Sequence, residues 1–214
     1  LLGEARTIAR IIATSGIGGN LGLPVCERDQ GGRAGQDITE TSFANLTPRL
    51  RHFGGAEDHP LVFDTGSLLT PGALARFAAG EDSDHLAEMI DGLGYRALIF
   101  GPNELAAVRP SMIAAFRALR ERGIPGIASN LYCVPGGPAE ELCEILVDGS
   151  DGPSIHVVDG RRVALVSVMP GDTLAALAPA LAEGLRTTPP VTALADAVRR
   201  ARAAGAELVV AVLD

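Results

Sequence analysis

"GLGYRALIFGPNEL", residues 92–105, is the stretch on which the reading of this chain turns. Two glycines close whatever precedes it, the apolar run Ala97–Phe100 follows, and the run ends in a Gly-Pro-Asn-Glu corner. A short continuous apolar segment bounded by turn residues reads as a strand buried on both faces. The corner then reads as the loop that this strand delivers to one rim of a sheet. That loop carries no histidine.

The flanks agree with a strand between helices. Upstream, "DSDHLAEMIDGLG" (82–94) sets Leu86, Met89, Ile90 and Leu93 on one helical face. Downstream, "PSMIAAFRALRERG" (110–123) sets Met112, Ile113, Phe116 and Leu119 inward. Its arginines gather at the C-terminal end, where they suit the helix dipole.

Working outward, "TIARIIAT" (7–14), "PLVFDTG" (60–66), "IPGIASN" (124–130) and "AELVVAVLD" (206–214) are further strand candidates. Residues 38–52 carry a helical pattern (Ile38, Phe43, Leu46, Leu50) interrupted by Pro48. "PGALARFAAG" (71–80) reads as a short helix with Pro in its first turn and Gly at its end. "SIHVVDGRRVALVSV" (154–168) is a β-hairpin turning at Asp159-Gly160. Residues 131–153 are Gly/Pro-rich, and 169–190 read as a long loop. Residues 191–205 form a helix with Val191, Leu194 and Val198 inward. Strand and helix alternate nearly throughout, which predicts a layered α/β domain with a mainly parallel central sheet plus the hairpin.

The bulk numbers exclude several classes. With 214 residues the chain has enough apolar surface for one sizeable core. The net charge of −8 repels phosphate backbones, which argues against general nucleic-acid binding. All 18 basic residues are arginine, so a Schiff-base lysine and a P-loop lysine are both absent. No apolar run approaches the roughly 20 residues of a membrane span. The apolar end "ELVVAVLD" suggests a domain truncated at its C-terminus, with residues 1–214 as a single domain.

Four strand exits are small or polar where the preceding strand is apolar: 14–19, 64–67, 101–104 and Asp214. In open α/β sheets ligands sit beyond the carboxyl ends of the strands. The rim candidates are therefore Ser15, Gly16, Gly18, Ser67, Asn103, Glu104 and Asp214.

The order and spacing of "ATSGIGGNL", "VFDTGSLL", "DGLGYRALIFGPNEL", "GIASNLY", "VVDGRRVALVSV" and "GAELVVAVLD" resemble the calcineurin-like metallophosphoesterases. Within them the likeness is to the amino-terminal domain of the periplasmic 5′-nucleotidase family. The resemblance implies a metallophosphoesterase-type α/β sandwich and a periplasmic or extracellular location. The family's ligand motifs are altered here. The first-motif Asp and His fall on Gly16 and Gly18, the bridging Asp on Ser67, the Asn-His pair on Pro102 and Asn103, and the next His on Asp214. Glu104 is kept. Two divalent ions need several carboxylates and imidazoles, so the resemblance implies a degenerate site. The domain would take no cofactor and would bind a small phosphorylated ligand or a partner protein, or serve as a structural module.

Other readings stay open. An active phosphoesterase could hold divalent metal ions through other ligands. Asp214 and Glu104 could share one hard cation, although such acids are more often simply solvated. "SGIGGNLG" (15–22) could cradle a phosphate with backbone N–H groups, but it lacks G-x-G-x-x-G and an immediate helix. Ser15 and Ser67 have no histidine placed as a base. His52, His59, His85 and His156 show no ligand spacing. Cys26, just beyond the first glycine loop, is a redox candidate only with a lowered pKa. Cys133 and Cys143, ten residues apart, could pair in the exported protein that the resemblance implies.

Overall fold

Alternating side chains on each strand, one set pointing each way, generate two cores from one central sheet. In the computed structural model, residues 9–21, 25–28, 34–37, 42–54, 60–74, 82–147 and 152–213 are described. In chain order the first elements are β1 (Ile11–Thr14), β2 (Val25–Arg28), β3 (Ala34–Asp37), α1 (Phe43–Gly54) and β4 (Leu61–Asp64). Then come α2 (Ser83–Gly92), β5 (Tyr95–Ile99), α3 (Pro102–Ala106), α4 (Arg109–Glu121), β6 (Gly126–Ile127) and β7 (Leu131–Cys133). α5 (Glu140–Ile145), β8 (Leu146–Val147), β9 (Ser154–Val158) and β10 (Arg161–Val168) follow. The last are α6 (Thr173–Ala176), α7 (Pro179–Ala182), β11 (Leu185–Thr187), α8 (Pro190–Ala203) and β12 (Leu208–Leu213).

Five strands form a parallel sheet in the order β1-β4-β5-β6-β8. A second sheet has the order β12-β10-β9, with β10 parallel to β12 and antiparallel to β9. Leu61, Phe63, Ala97, Ile99 and Ile127 point from the first sheet toward Val163, Leu165 and Val212 of the second. The alternate residues Val62 and Leu98 point the other way, into a larger core with α1, α2, α4 and α5. α8 covers the outer face of the second sheet through Ala201 against Ala164. The layers therefore run helices, parallel sheet, mixed sheet, helix: the class is the layered α/β one expected, but the last strand, β12, joins the hairpin in a second sheet and not the central one.

The helix faces follow their apolar spacing. Phe43, Leu46 and Leu50 of α1, Leu86 and Ile90 of α2, and Met112, Ile113, Phe116 and Leu119 of α4 are all buried. Each such side chain contributes roughly 1.5–3 kcal/mol on burial. α4 lies very close to the sheet: a Cβ at Gly126 would come within 2.5 Å of the Phe116 ring. The hairpin turns where expected, with Asp159 at φ 49° and Gly160 at φ 76°, the positive angles a two-residue hairpin turn needs.

Several expectations are corrected. In α8 the inward face is Ala193, Ala197 and Ala201, while Val191 is 83% exposed. Small side chains let the helix lie close on the sheet, and the valine is left outside. The Gly/Pro-rich stretch 131–153 contains β7, α5 and β8, and the loop 169–190 contains α6, α7 and β11. β11 pairs antiparallel with β7. The helix expected over 38–52 begins at Phe43 and accommodates Pro48 inside it. Ile38 and most of the helix expected over 71–80 lie outside the described residues. The strand expected over 124–130 is ladder-paired only at Gly126–Ile127. Ser129 and Asn130 instead tie the two sheets together. Asn130 Nδ2 donates to Met169 O (3.0 Å) and Thr188 O (3.3 Å), and its Oδ1 accepts from Met169 N (2.9 Å). Ser129 Oγ accepts from Ser167 N. Nearby, Cys133 and Cys143 form a disulfide joining β7 to α5. Among the described residues no helix is long and apolar enough to cross a membrane.

Candidate functional site

A buried threonine and a buried aspartate that end two adjacent strands cannot be left without partners. Thr14 Oγ1 donates to Asp64 Oδ2 at 2.5 Å and lies 2.8 Å from Tyr95 Oη. With the threonine proton directed to the carboxylate, the phenol is the donor to Thr14. Asp64 Oδ1 accepts from Gly66 N at 2.9 Å, which fixes the start of the next loop. Burial first, and then the Asp64 charge, push the Tyr95 phenol well above its ordinary range, while the Thr14 bond pulls the other way. The phenol therefore stays a neutral donor. This buried chain joins β1, β4 and β5 directly under the rim.

Above it the first two strand exits are zipped together. Gly18 N donates to Ser67 O (2.6 Å), Gly19 N to Leu68 O (2.8 Å), and Gly72 N to Gly18 O (2.6 Å). The approach is too close for a side chain: a Cβ on Gly19 would sit 2.1 Å from Leu69 O. These contacts occupy the Gly18 and Gly19 amides, so the loop read as a possible phosphate cradle keeps fewer free N–H groups than its glycine content suggests. Ser67 itself holds φ 65°, a left-handed conformation unusual for a serine.

The third exit is α3, entered through Gly101 and Pro102. Glu104, three residues past the Gly101 N-cap, reaches back to Gly101 N with Oε2 at 3.2 Å, as an acidic residue at this position of a helix can. The same oxygen accepts from Ser67 N (3.3 Å), and Oε1 accepts from Thr70 Oγ1 (3.2 Å). The residue is 2% exposed. Burial raises its pKa from 4.5 to about 7, against the opposing pull of the Ser67 and Gly101 N–H groups. At the surface, Asn103 Nδ2 donates to Ser67 Oγ at 2.6 Å.

Gly18, Ser67, Asn103 and Glu104 are thus linked directly by hydrogen bonds. Gly16, at φ 68°, lies on the same loop as Gly18. Ser15 also lies on that loop and lines a cavity beside α1. Asp214 lies outside the described residues. Cys26 lies in β2, in register with Gln36 of β3; its side chain is outside the described set. His52 stands at the end of α1 against Phe53, and His85 is exposed on α2. His156 on β9 contacts Ser154 Oγ, and burial followed by the Arg96 charge lowers its pKa. His59 lies outside the described residues.

Thr14, Asp64 and Tyr95 were not among the residues singled out from sequence. The available signal was an acid closing an otherwise apolar strand, "LVFD" (61–64), since such an acid requires buried donors.

Among the described residues no group of three or more His, Cys, Asp or Glu is placed to hold a metal ion. The donors at the rim do not fit a two-ion centre. Gly16 and Gly18 have no side-chain donor, Ser67 and Asn103 are neutral and bonded to each other, and both Glu104 oxygens accept from protein donors.

No protein-family model matches the chain, and no curated protein matches it. Solved structures do match. The 5′-nucleotidase precursor from Thermus thermophilus aligns at TM-score 0.66 and 19% identity, over 95% of this chain and 36% of that one. The calcineurin-like phosphoesterase YfkN from Bacillus subtilis aligns at 0.65 and 12%, over 95% of this chain and 60% of that one. The NAD nucleotidase of Haemophilus influenzae aligns at 0.60 and 14%, over 80% and 28%. The chain therefore spans less than two thirds of the length of each. At these identities the likeness is one of fold, the fold of calcineurin-like metallophosphoesterases and 5′-nucleotidases.

Proposed function

We propose that this chain is a 5′-nucleotidase-like metallophosphoesterase domain that has lost its dinuclear metal site and acts as a non-catalytic ligand-binding or structural module. The observation that carries this reading is the 2.6 Å bond between Asn103 Nδ2 and Ser67 Oγ. Two neutral side chains satisfy each other where the strand exits meet. Two-ion hydrolysis places charged ligands around both metals and uses the ions to activate water and steady the leaving oxygen. The carboxylate nearest to this pair, Glu104, is turned inward and held by Gly101, Ser67 and Thr70.

What faces outward is a set of neutral hydrogen-bonding groups on one hydrogen-bonded loop cluster. Such a set suits a partner surface or a small phosphorylated ligand held without chemistry. The Cys133–Cys143 disulfide supports an exported, periplasmic or extracellular protein, because such bonds persist in oxidising compartments.

The test is metal content together with turnover. Purified protein dialysed against Mn²⁺ is expected to retain no stoichiometric metal and to hydrolyse neither nitrophenyl phosphate nor AMP above background. Two tightly held ions per chain with substantial turnover would establish an active hydrolase and end this reading.

A further inference from the structure

The face of α1 that looks at β1 does not close onto it. Between them lies a cavity of about 280 Å³, near the lower end of ligand pockets, which start at roughly 300 Å³. Its walls are mostly apolar: Ile12 from the strand, and Leu46, Leu50 and Phe53 from the helix. Leu46 and Leu50 are buried, whereas Phe53 is 60% exposed, a large aromatic ring left uncovered at the end of the helix face. Asn45 and the exposed Arg49 lie on the same face at helical spacing and, with Thr14, Ser15 and Ser42, add the polar groups.

Arg49 is the informative residue. Most of the described arginines in this acidic chain are engaged, among them Arg117 with Glu141, Arg161 with Glu207, Arg199 with Asp196, and Arg162 and Arg202 with backbone carbonyls; exposed Arg51, which faces away from the cavity lining, is not. Among the described residues Arg49 has no hydrogen-bond or ion-pair partner. A guanidinium presents a planar fork that matches a carboxylate through two parallel hydrogen bonds. One unpaired positive charge beside an apolar cavity complements a ligand with one negative charge and an apolar body. A phosphate monoester would bring more charge than the single guanidinium offsets.

We propose that the cavity between β1 and α1 binds a small organic monocarboxylate, its head on Arg49 and its apolar tail against Ile12, Leu46, Leu50 and Phe53. This site adjoins the rim, sharing Ser15 of the first strand exit, and goes beyond the reading of the rim. It holds whether or not the strand exits bind anything.

Octanoate is the probe, with 1-octanol as the uncharged control, each titrated into the full chain by calorimetry and by amide chemical shifts. Saturable octanoate binding is expected, with shifts confined to residues 12–17 and 42–53 and octanol at least tenfold weaker. Arg49→Gln should weaken octanoate at least tenfold. Arg51→Gln, at an exposed neighbour that does not line the cavity, should leave it within twofold, and so should Asn103→Ala at the rim. The proposal fails if octanoate does not saturate, if Arg51→Gln weakens binding as much as Arg49→Gln, or if inorganic phosphate displaces octanoate at equal concentration. It also fails if Asn103→Ala rather than Arg49→Gln abolishes binding, which would place the ligand at the rim. The shift map of the unsubstituted protein locates the site even if a variant does not fold.

Discussion

Two places in this molecule gather several loops around a single buried side chain, and they use opposite chemistry. Under the rim, Glu104 collects donors from Gly101, Ser67 and Thr70. Between the two sheets, Asn130 bonds to Met169 through both its donor and its acceptor, and to Thr188. The amide is neutral and complements its partners at every pH. The carboxylate is matched to three donors but confined where its charge is poorly solvated. The difference teaches that the sandwich joint is built for permanence, whereas the rim carries a buried charge whose state depends on pH.

The largest expected effect tests the joint. Asn130→Ala orphans the Met169 N–H and leaves the buried Met169 carbonyl and the half-buried Thr188 carbonyl short of a donor. Each unsatisfied buried group costs about 1–3 kcal/mol, so a loss of roughly 3–5 kcal/mol is expected. Urea unfolding at pH 5 and pH 8 should give the same loss. A loss that changed strongly with pH would break the contrast between the two anchors.

The next effect sharpens it from the other side. The Glu104 carboxyl titrates near 7 in the folded chain, against 4.5 as its ordinary value. Between these values the folded state binds more protons than the unfolded state. Its contribution to stability is therefore complete below about 4.5 and is lost as pH rises through about 7, with an amplitude on the order of 3 kcal/mol. When the carboxyl is protonated, Thr70 Oγ1 can turn from donor to acceptor and keep the contact. Glu104→Gln should remove this pH-dependent component. His156, with a lowered pKa, acts in the opposite direction, contributing stability at higher pH that is lost on acidification. The difference between wild-type and Glu104→Gln unfolding curves from pH 4 to 8 isolates the glutamate. Parallel curves would show that Glu104 does not titrate in this window.

The smallest effect lies at the surface of the rim. Asn103→Ala removes one exposed hydrogen bond to Ser67 and should cost only about 0.5–1 kcal/mol in thermal or urea unfolding. A loss several times larger would mean that the outer layer of the rim, and not only Glu104, holds the three strand exits together.

Much of the architecture is legible in the amino-acid sequence. Phe43, Leu46 and Leu50, then Leu86 and Ile90, then Met112, Phe116 and Leu119 announce their helices, because a face buried once per turn leaves a 3.6-residue period. Asp159-Gly160 announces the hairpin because few other pairs adopt two positive φ angles. The convergence of 14–19, 64–67 and 101–104 followed from strand exits sharing one edge of a parallel sheet. What stayed hidden has a common cause. β6 and β8 have two residues each, too few to show any period. α8 packs through alanines, which carry little apolar signal beside Val191 and Leu194. The buried Thr14–Asp64–Tyr95 chain joins residues 50 and 81 positions apart, a distance at which local pattern is silent.

The amino-acid sequence by itself determined the layered α/β class, the main helices, the hairpin and the residue types at each strand exit, because these follow from local periodicity and from turn residues with restricted backbone angles. Only the tertiary structure decided that Glu104 faces inward, that Ser67 and Asn103 satisfy each other, and that Arg49 stands unpaired among the described residues beside a cavity. Those outcomes depend on which donors and charges distant segments bring together, and hydrogen bonding and burial are properties of that assembly rather than of any one stretch of chain.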